Sequence, residues 1–392
     1  MDNSSNLPLK PGATIAILGG GQLGSMLCAA AKQMGYRTLG VSNHESDPIA
    51  RWADHHLVAD PSDPATAARL ARQVDVITVE AESINPDALG AAERAGARVA
   101  PGSQIQRVVR DRRLEKSFLA NLKLPDGQRA VGDFRIAESA DQATRGADEL
   151  FAAGATKVVC KTAQGGYDGK GQRWLQDFRQ ASAAFTALGG VPLVLEAGIT
   201  FSAEASVIVA RSADDRLAHF PVFCNEHRRG ILHQTLMPGG FSDPITRRAI
   251  ELAEAVARQL NVVGLLAVEE FVLPDGRVLV NELAARPHNS GHVTLRAASR
   301  SQFEMHVAAI CGLPLPEIEI LCPGVMTNLL GDLWANGEPD FPAILADGRS
   351  TLHLYGKSPR AGRKMGHIIH TGRTLADALR ATNSAYQLLG GR

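Results

Sequence analysis

The chain has 392 residues, 45% hydrophobic and 21% charged, a globular balance with length enough for two or three cores. Basic and acidic residues number 41 each, so no overall field marks the chain for nucleic acid or an anionic membrane. No apolar run approaches the roughly 20 residues that span a bilayer.

The opening MDNSSNLPLKPG has no charged-then-apolar export pattern. Cys28, Cys160, Cys224, Cys311 and Cys322 are scattered and free of C-x-x-C spacing. The expectation is a cytoplasmic protein whose cysteines are small buried hydrophobes. TIAILGGG then reads as a buried strand ending in glycines, and QLGSMLCAAAKQMG as a helix stopped at Gly35. YRTLGVSN, HHLVAD and VDVITVE read as further strands, with PATAARLARQ as a helix. This rhythm predicts a doubly wound parallel sheet that binds ligands beyond the carboxyl ends of its strands.

Gly19, Gly21 and Gly24 fit the G-x-G-x-x-G dinucleotide turn. The acid that should end the second strand and hold a ribose is missing, because Ser42 and Asn43 stand there. Nicotinamide binding is therefore disfavoured, and the turn reads as a tight strand-to-helix connection or a different anion site. At the carboxyl end of VITVEAES, Glu80 and Glu82 lie on the ligand edge of the sheet. One of them is a candidate to grip a hydroxyl or amine, against the ordinary reading of a solvated loop acid.

VVCKTAQGGYDGKGQRWL reads as strand, glycine-rich loop, strand. Gly165, Gly166, Gly169 and Gly171 would let main-chain N–H groups fold around an anion, with Lys161 and Lys170 adding charge. Gly165, Gly166 and Gly169 are expected to take backbone angles closed to side chains. No GK[ST] precedes a helix, so this is not a Walker loop; it is a hairpin lid or a plain hairpin turn. In LVLEAGI, the exit at Glu196, Ala197, Gly198 and Ile199 suits main-chain reading of an adenine edge. Glu204, opening EASVIVAR, suits ribose hydroxyls.

ITRRAIELAEAVARQLN carries helical periodicity. After it, PDG turns a hairpin whose strands carry Glu269 and Glu282. Antiparallel pairing sets those carboxylates side by side, a pair suited to magnesium, with Asn281 adjacent. NELAARPHNSGH then adds Arg286, a planar fork for phosphate, and the donors of His288 and Asn289. The segment can hold a metal-bound nucleotide on one side and an anionic substrate on the other.

GGGQLG, VITVEAE, GGYDGKGQ, NELAARPHNSGH, SQFEMH and GRKMGH together resemble the 5-(carboxyamino)imidazole ribonucleotide synthetase family of ATP-grasp ligases nearly end to end. GGYDGKGQ combined with RPHNSGH is the most specific part. The resemblance implies an α/β ATP-grasp fold: a Rossmann-like domain over residues 1–110, a lid over 111–195, and a grasp domain over 196–392 that includes a small C-terminal subdomain. It implies ATP and Mg2+ as cofactors, bicarbonate and aminoimidazole ribonucleotide as substrates, and a homodimer with no nucleic-acid or membrane partner. The reaction implied is carboxylation of the ribonucleotide's exocyclic amine through carboxyphosphate, in purine biosynthesis.

By the same resemblance, nucleotide contacts fall on Arg112, Lys161, the loop Gly165, Gly166, Tyr167, Asp168, Gly169, Lys170 and Gly171, residues Glu196, Ala197, Gly198 and Ile199, and Glu204, His227, Asn281 and Glu282. The metal falls on Glu269 and Glu282. Ribonucleotide contacts fall on Glu80 or Glu82, Tyr167, Arg286, His288, Asn289 and Lys364. Lys364, Asp168, Lys170 and Arg286 are the expected catalytic set. Ser25, Ala81, Ser83, Ala285, Val293 and Ala361 depart from the family pattern on the ribonucleotide side. A ligase for another small amine is thus the second reading. A catalytically silent nucleotide-binding protein is opposed by the intact Glu269, Glu282 and Lys161.

Overall fold

The structure, a computed structural model, describes residues 7–166 and 170–391. Its first sheet is parallel, with β1 (Thr14–Leu18), β2 (Arg37–Ser42), β3 (His55–Val58) and β4 (Val76–Val79) in the order β3-β2-β1-β4. β1 and β4 are buried almost throughout, as apolar strands covered on both faces should be. The helix Gln22–Gln33 follows β1 and ends before Gly35, whose φ of +85° is open to glycine without strain. The predicted parallel sheet is present.

A second, antiparallel sheet contains β5 (Phe134–Ala137), β6 (Val158–Thr162), β7 (Gln172–Leu175) and β8 (Leu193–Ala197), in the order β5-β8-β6-β7. The helix Ala140–Ala152 closes one face, setting Ala143, Ala147 and Leu150 against Val158, Cys160, Leu193 and Leu195.

The third sheet holds β9 (Ala203–Arg211), β10 (Leu217–His219), β11 (Phe223–Arg228), β12 (Ile231–Met237), β13 (Gly264–Val272), β14 (Val278–Ala284), β15 (Gly324–Leu330), β16 (Ser350–Leu354) and β17 (Lys364–Thr371). Its path runs β14-β13-β9-β11-β12-β15-β17-β16, with β10 beside β9. The helix Asp243–Gln259 presses Ala249, Leu252, Ala253 and Val256 onto Val207, Val209, Leu266 and Val268. The alternate residues Ile208, Ala210, Leu265 and Ala267 fill a core on the opposite face. Burial on both faces is why β9 and β13 read as continuous apolar runs.

A helix at Gln302–Cys311 joins the first sheet to the third. It opens with a capping box between Ser301 and Glu304 and stops at Gly312, φ +72°. Phe303, Val307 and Ile310 enter the core of Ile15, Ile17 and Leu27. On the same helix, His306 Nε2 meets Thr78 Oγ1 at 2.8 Å. This joint brings the end of β4 to the segment that follows β14.

Two expectations need adjustment. The boundary expected at residue 195 falls inside β8, which runs to Ala197. The helix Arg112–Ala120, expected in the lid, packs Leu119 into the core under the third sheet, so burial ties it to the grasp region. All five cysteines are free as expected, but Cys224 and Cys322 are only half-buried.

Candidate active site

Glu269 and Glu282 are direct cross-strand partners on β13 and β14. The register then slips, so that Glu270 pairs with Val280 and Asn281 becomes the extra residue of a bulge. The Asn281 amide oxygen is buried and has no partner, a polar atom awaiting a ligand. His288 Nε2 lies 2.9 Å from Glu269 Oε1. Sequence reasoning assigned His288 to the ribonucleotide; its ring lies against Glu269, one of the two acids expected at the metal. Burial raises the Glu269 carboxyl, but the hydrogen bond and charge at His288, with His227 and Lys364 behind it, bring it down to about 2. Glu269 is thus held ionised. Glu204 and His227 form an ion pair across β9 and β11, and that partner raises the imidazole despite its burial.

The glycine-rich hairpin between β6 and β7 reaches this carboxylate pair through Arg112. The guanidinium donates to Thr162 O at 3.1 Å and Gly166 O at 2.6 Å, and its Nη2 stands 3.8 Å from Glu282 Oε2. Gly165 has φ +80° and Gly171 φ +69°, both left-handed. Gly166 differs from the expectation, since its φ is not positive. A side chain is excluded there by proximity, because an added Cβ would sit 2.7 Å from Lys170 O. Tyr167, Asp168 and Gly169 lie outside the described residues.

Lys161 Nζ contacts Glu196 Oε1 at 2.8 Å, and Lys116 Nζ contacts Glu196 Oε2, also at 2.8 Å. Burial raises this carboxyl, yet the two ammonium groups outweigh it and hold Glu196 at about 2. At the exit of β8 the N–H groups of Ala197 and Gly198 donate to Asp133 O and Lys157 O. Two of the groups expected to read an adenine edge are therefore already taken by the sheet and its neighbour.

Arg286 forms an ion pair with Glu82. Burial opposes ionisation of Glu82, and the Arg286 charge overcomes it and lowers the carboxyl. Glu80 has a different fate. Its oxygens accept from Gly21 N at 2.5 Å and Gly24 N at 2.8 Å. The carboxylate of β4's end fills the anion pocket of the G-x-G-x-x-G turn, a stronger reason than the missing ribose acid for excluding a dinucleotide. Asn289 is 8% exposed and neither its amide nitrogen nor its oxygen has a partner. Lys364 opens β17, and its charge helps lower Glu269.

Three site residues escaped sequence reasoning. Lys357 donates to Gln22 Oε1 at 2.5 Å and lies over the Tyr355 ring; burial lowers its ammonium to about 8, against the pull of Glu80. Lys116 is 2% exposed and Glu115 1%. Glu115 is pushed up to about 8, first by burial and then by Glu282. Their sequence, RRLEKSF, looks like a solvated helix face; the usable signal was that Glu115 and Lys116 lie three and four residues after Arg112, on one side of a helix.

Among the described residues no group of three or more His, Cys, Asp or Glu is arranged to hold a metal. Two adjacent carboxylates with an unpartnered amide oxygen nevertheless fit magnesium, which completes its shell with water and phosphate oxygens. Paired acids on a sheet edge, faced by a glycine-rich hairpin on a separate small sheet, define an ATP-grasp ligase. Family models agree in chain order. A ribonucleotide synthetase preATP-grasp domain matches residues 12–110, an ATP-grasp domain 123–303, and a phosphoribosylaminoimidazole carboxylase C-terminal domain 324–381.

The N5-carboxyaminoimidazole ribonucleotide synthase of Bacillus subtilis is 40% identical over 361 residues, 92% of each chain. That of Brucella melitensis is 39% identical over 371 residues, covering 94% of this chain and 98% of its own. A solved N5-carboxyaminoimidazole ribonucleotide synthetase in complex with ADP superposes with a TM-score of 0.87 at 37% identity, over 96% of this chain and 97% of the other. The Aspergillus clavatus synthase solved with ADP and 5-aminoimidazole ribonucleotide gives 0.83 at 26% identity, over 97% and 99%. The chain belongs to the N5-carboxyaminoimidazole ribonucleotide synthase family.

Proposed function

We propose that the two sides of the cleft divide the reaction of this family between them, nucleotide and metal on one side and ribonucleotide on the other. ATP phosphorylates bicarbonate to carboxyphosphate, releasing ADP, and the exocyclic amine of aminoimidazole ribonucleotide takes up the activated carboxyl group as phosphate and a proton leave. The observation that carries this reading is the choice of ion-pair partners: Glu282 lies by Arg112, whereas Arg286 lies by Glu82.

Glu269 and Glu282 would hold magnesium, with the Asn281 amide beside them. Bound there, the ion would neutralise charge on the phosphates and orient them. Arg112, Lys161 and the hairpin of Gly165, Gly166, Lys170 and Gly171 suit the phosphates, and the Glu204–His227 pair suits ribose hydroxyls. Tyr167, Asp168 and Gly169 are assigned to the nucleotide in this reading, with Tyr167 also a contact of the ribonucleotide. Ile199 and the carbonyl groups near it remain to read the base.

Arg286, Asn289 and Lys364 serve the second substrate, joined by Lys357. Glu82 orients Arg286, and His288 orients Glu269. Closing the hairpin would shield a labile acyl phosphate from water. The parallel first sheet, the small sheet ending at Ala197, and the large sheet with its C-terminal strands are the three working parts. A homodimer in the cytoplasm accords with the family; no helix of the described residues is long and apolar enough to cross a membrane.

Calorimetry on two variants tests the division. Glu282→Gln keeps shape and removes charge, so magnesium-dependent turnover should fall by roughly 10²-fold or more. Arg286→Ala should weaken the ribonucleotide by about 2–5 kcal/mol and leave magnesium-ATP binding near wild type. Equal loss of both ligands in Arg286→Ala refutes the division. ADP release that ignores aminoimidazole ribonucleotide but answers another amine points to the other substrate class.

A further inference from the structure

Asn281 is the extra residue of a bulge in β14, and β14 is the edge strand of its sheet, so alternate main-chain groups along it point away from β13. Consecutive side chains of the helix Arg112–Ala120 meet them. Lys116 Nζ donates to Asn281 O at 2.8 Å, and Leu283 N donates to Glu115 Oε1 at 2.6 Å. These are the carbonyl just before Glu282 and the amide just after it. Both peptide groups that flank Glu282 are therefore held, one by a cation and one by an acceptor.

The holding groups are unusual for their burial. Lys116 and Glu115 are 2% and 1% exposed, and ionisable side chains are rarely buried so completely without a specific partner. Lys116 spends its remaining capacity on Glu196, which also holds Lys161. Arg112, on the same helix face, holds the carbonyl of Gly166. One turn of helix thus touches the strand of Glu282, the small sheet and the glycine-rich hairpin.

We propose that Glu115 and Lys116 are positioning residues that fix the backbone on both sides of Glu282, and so set the carboxylate that receives magnesium. The proposal rests on Glu282 being a metal ligand. It requires neither residue to touch metal or substrate. What matters in Glu115 is reach, an oxygen at the right distance from Leu283 N, and not charge.

Two substitutions separate reach from the carboxyl group itself. Glu115→Asp keeps the carboxyl group and withdraws the acceptor by one methylene; Glu115→Gln keeps the reach and replaces the carboxyl with a neutral amide oxygen. In the ligand-free full-length protein, hydrogen exchange at Leu283 should quicken at least about tenfold in Glu115→Asp, since exchange follows local opening. The magnesium concentration for half-maximal ADP binding, measured by calorimetry, should rise about tenfold in the same variant, as losing a group that orients a metal ligand does. ADP binding without metal should stay at the wild-type value. Glu115→Gln should match wild type in all three, which also guards against a misfolded Asp variant.

Wild-type magnesium dependence in a folded Glu115→Asp overturns the proposal. So does a Glu115→Gln as impaired as Glu115→Asp, because the carboxyl group and not its reach would then be the requirement. Glu282→Gln runs alongside. If it leaves magnesium dependence unchanged, the metal reading falls and takes the proposal with it. If it abolishes that dependence while Glu115→Asp does not, only the positioning role is lost.

Discussion

The turn at residues 19–24 and the hairpin that begins at Gly165 share a composition, yet they meet opposite charges. In the first, Glu80 reaches in from β4 and accepts from Gly21 and Gly24. The glycines are needed because Glu80 is there: an added Cβ at Gly19 would sit 2.4 Å from Glu80 Cγ, and one at Gly21 2.7 Å from Oε1. In the second, Arg112 gathers the carbonyls of Thr162 and Gly166, and Lys161 stands on the adjoining strand. Glycine spacing makes a turn that can surround an anion. A distant strand or helix decides whether the chain meets the turn with a carboxylate or with cations. The first turn is structural; the second is the one we propose for catalysis.

The largest effect should come from the turn proposed for catalysis. Gly166→Val places its side chain against Lys170 O and beside Thr162 Oγ1, displacing the hairpin by an ångström or more. Misplacement of that size costs on the order of 10²-fold in rate, while the melting temperature should barely move, since Gln164, Gly165 and Gly166 are not buried. Steady-state turnover with a melting curve decides this. Normal turnover would reduce the hairpin to a plain connection and end the contrast.

Glu80→Ala should show the reverse pattern. Two N–H donors at the start of the Gln22–Gln33 helix lose their acceptor, for about 2–4 kcal/mol of stability. The Michaelis constant for aminoimidazole ribonucleotide should change less than in Arg286→Ala. Denaturant unfolding and kinetics on one preparation give both numbers. A rise in that constant without loss of stability would move Glu80 to the substrate side and leave Glu82 as the partner that merely orients Arg286.

The contrast also marks what could be read from the chain. Glycine spacing located both turns, the PDG hairpin placed Glu269 opposite Glu282, and strand rhythm gave the parallel sheet. Each is a local pattern with a fixed period. The occupant of the first turn was not legible, because Glu80 lies 56 residues from Gly24 and their meeting depends on β4 pairing with β1. Glu115 and Lys116 were missed for a related reason. A charged pair inside a helix looks solvated until the third sheet's edge strand arrives 165 residues later. The pairing of His288 with Glu269 likewise depends on how the chain folds back after β14. Ala285, a departure from the family pattern, is 1% exposed and fills core, so that change need not alter the site.

The smallest expected effect concerns how the first turn is anchored. Thr78, two residues before Glu80, contacts His306 Nε2, while His306 Nδ1 accepts from Leu265 N at 3.2 Å. The ring must therefore be neutral with its proton on Nε2, and it joins the sheet of the structural turn to β13. Burial depresses the imidazole to about 3. A histidine depressed below its unfolded value near 6.5 contributes its full stability above that value. The contribution is lost as pH falls from about 6.5 towards 3, because the unfolded chain binds the proton first. One such group costs about 1.4 kcal/mol at pH 5.5 relative to neutral. Other buried histidines, among them His292 and His367, are depressed in the same direction, so the test is differential. His306→Gln should be less stable than wild type at pH 7.5, and the gap should narrow by about 1 kcal/mol at pH 5.5. Urea unfolding of both proteins at the two pH values measures it. A gap that stays constant would mean that His306 is not the proton-linked joint between the structural turn and the large sheet.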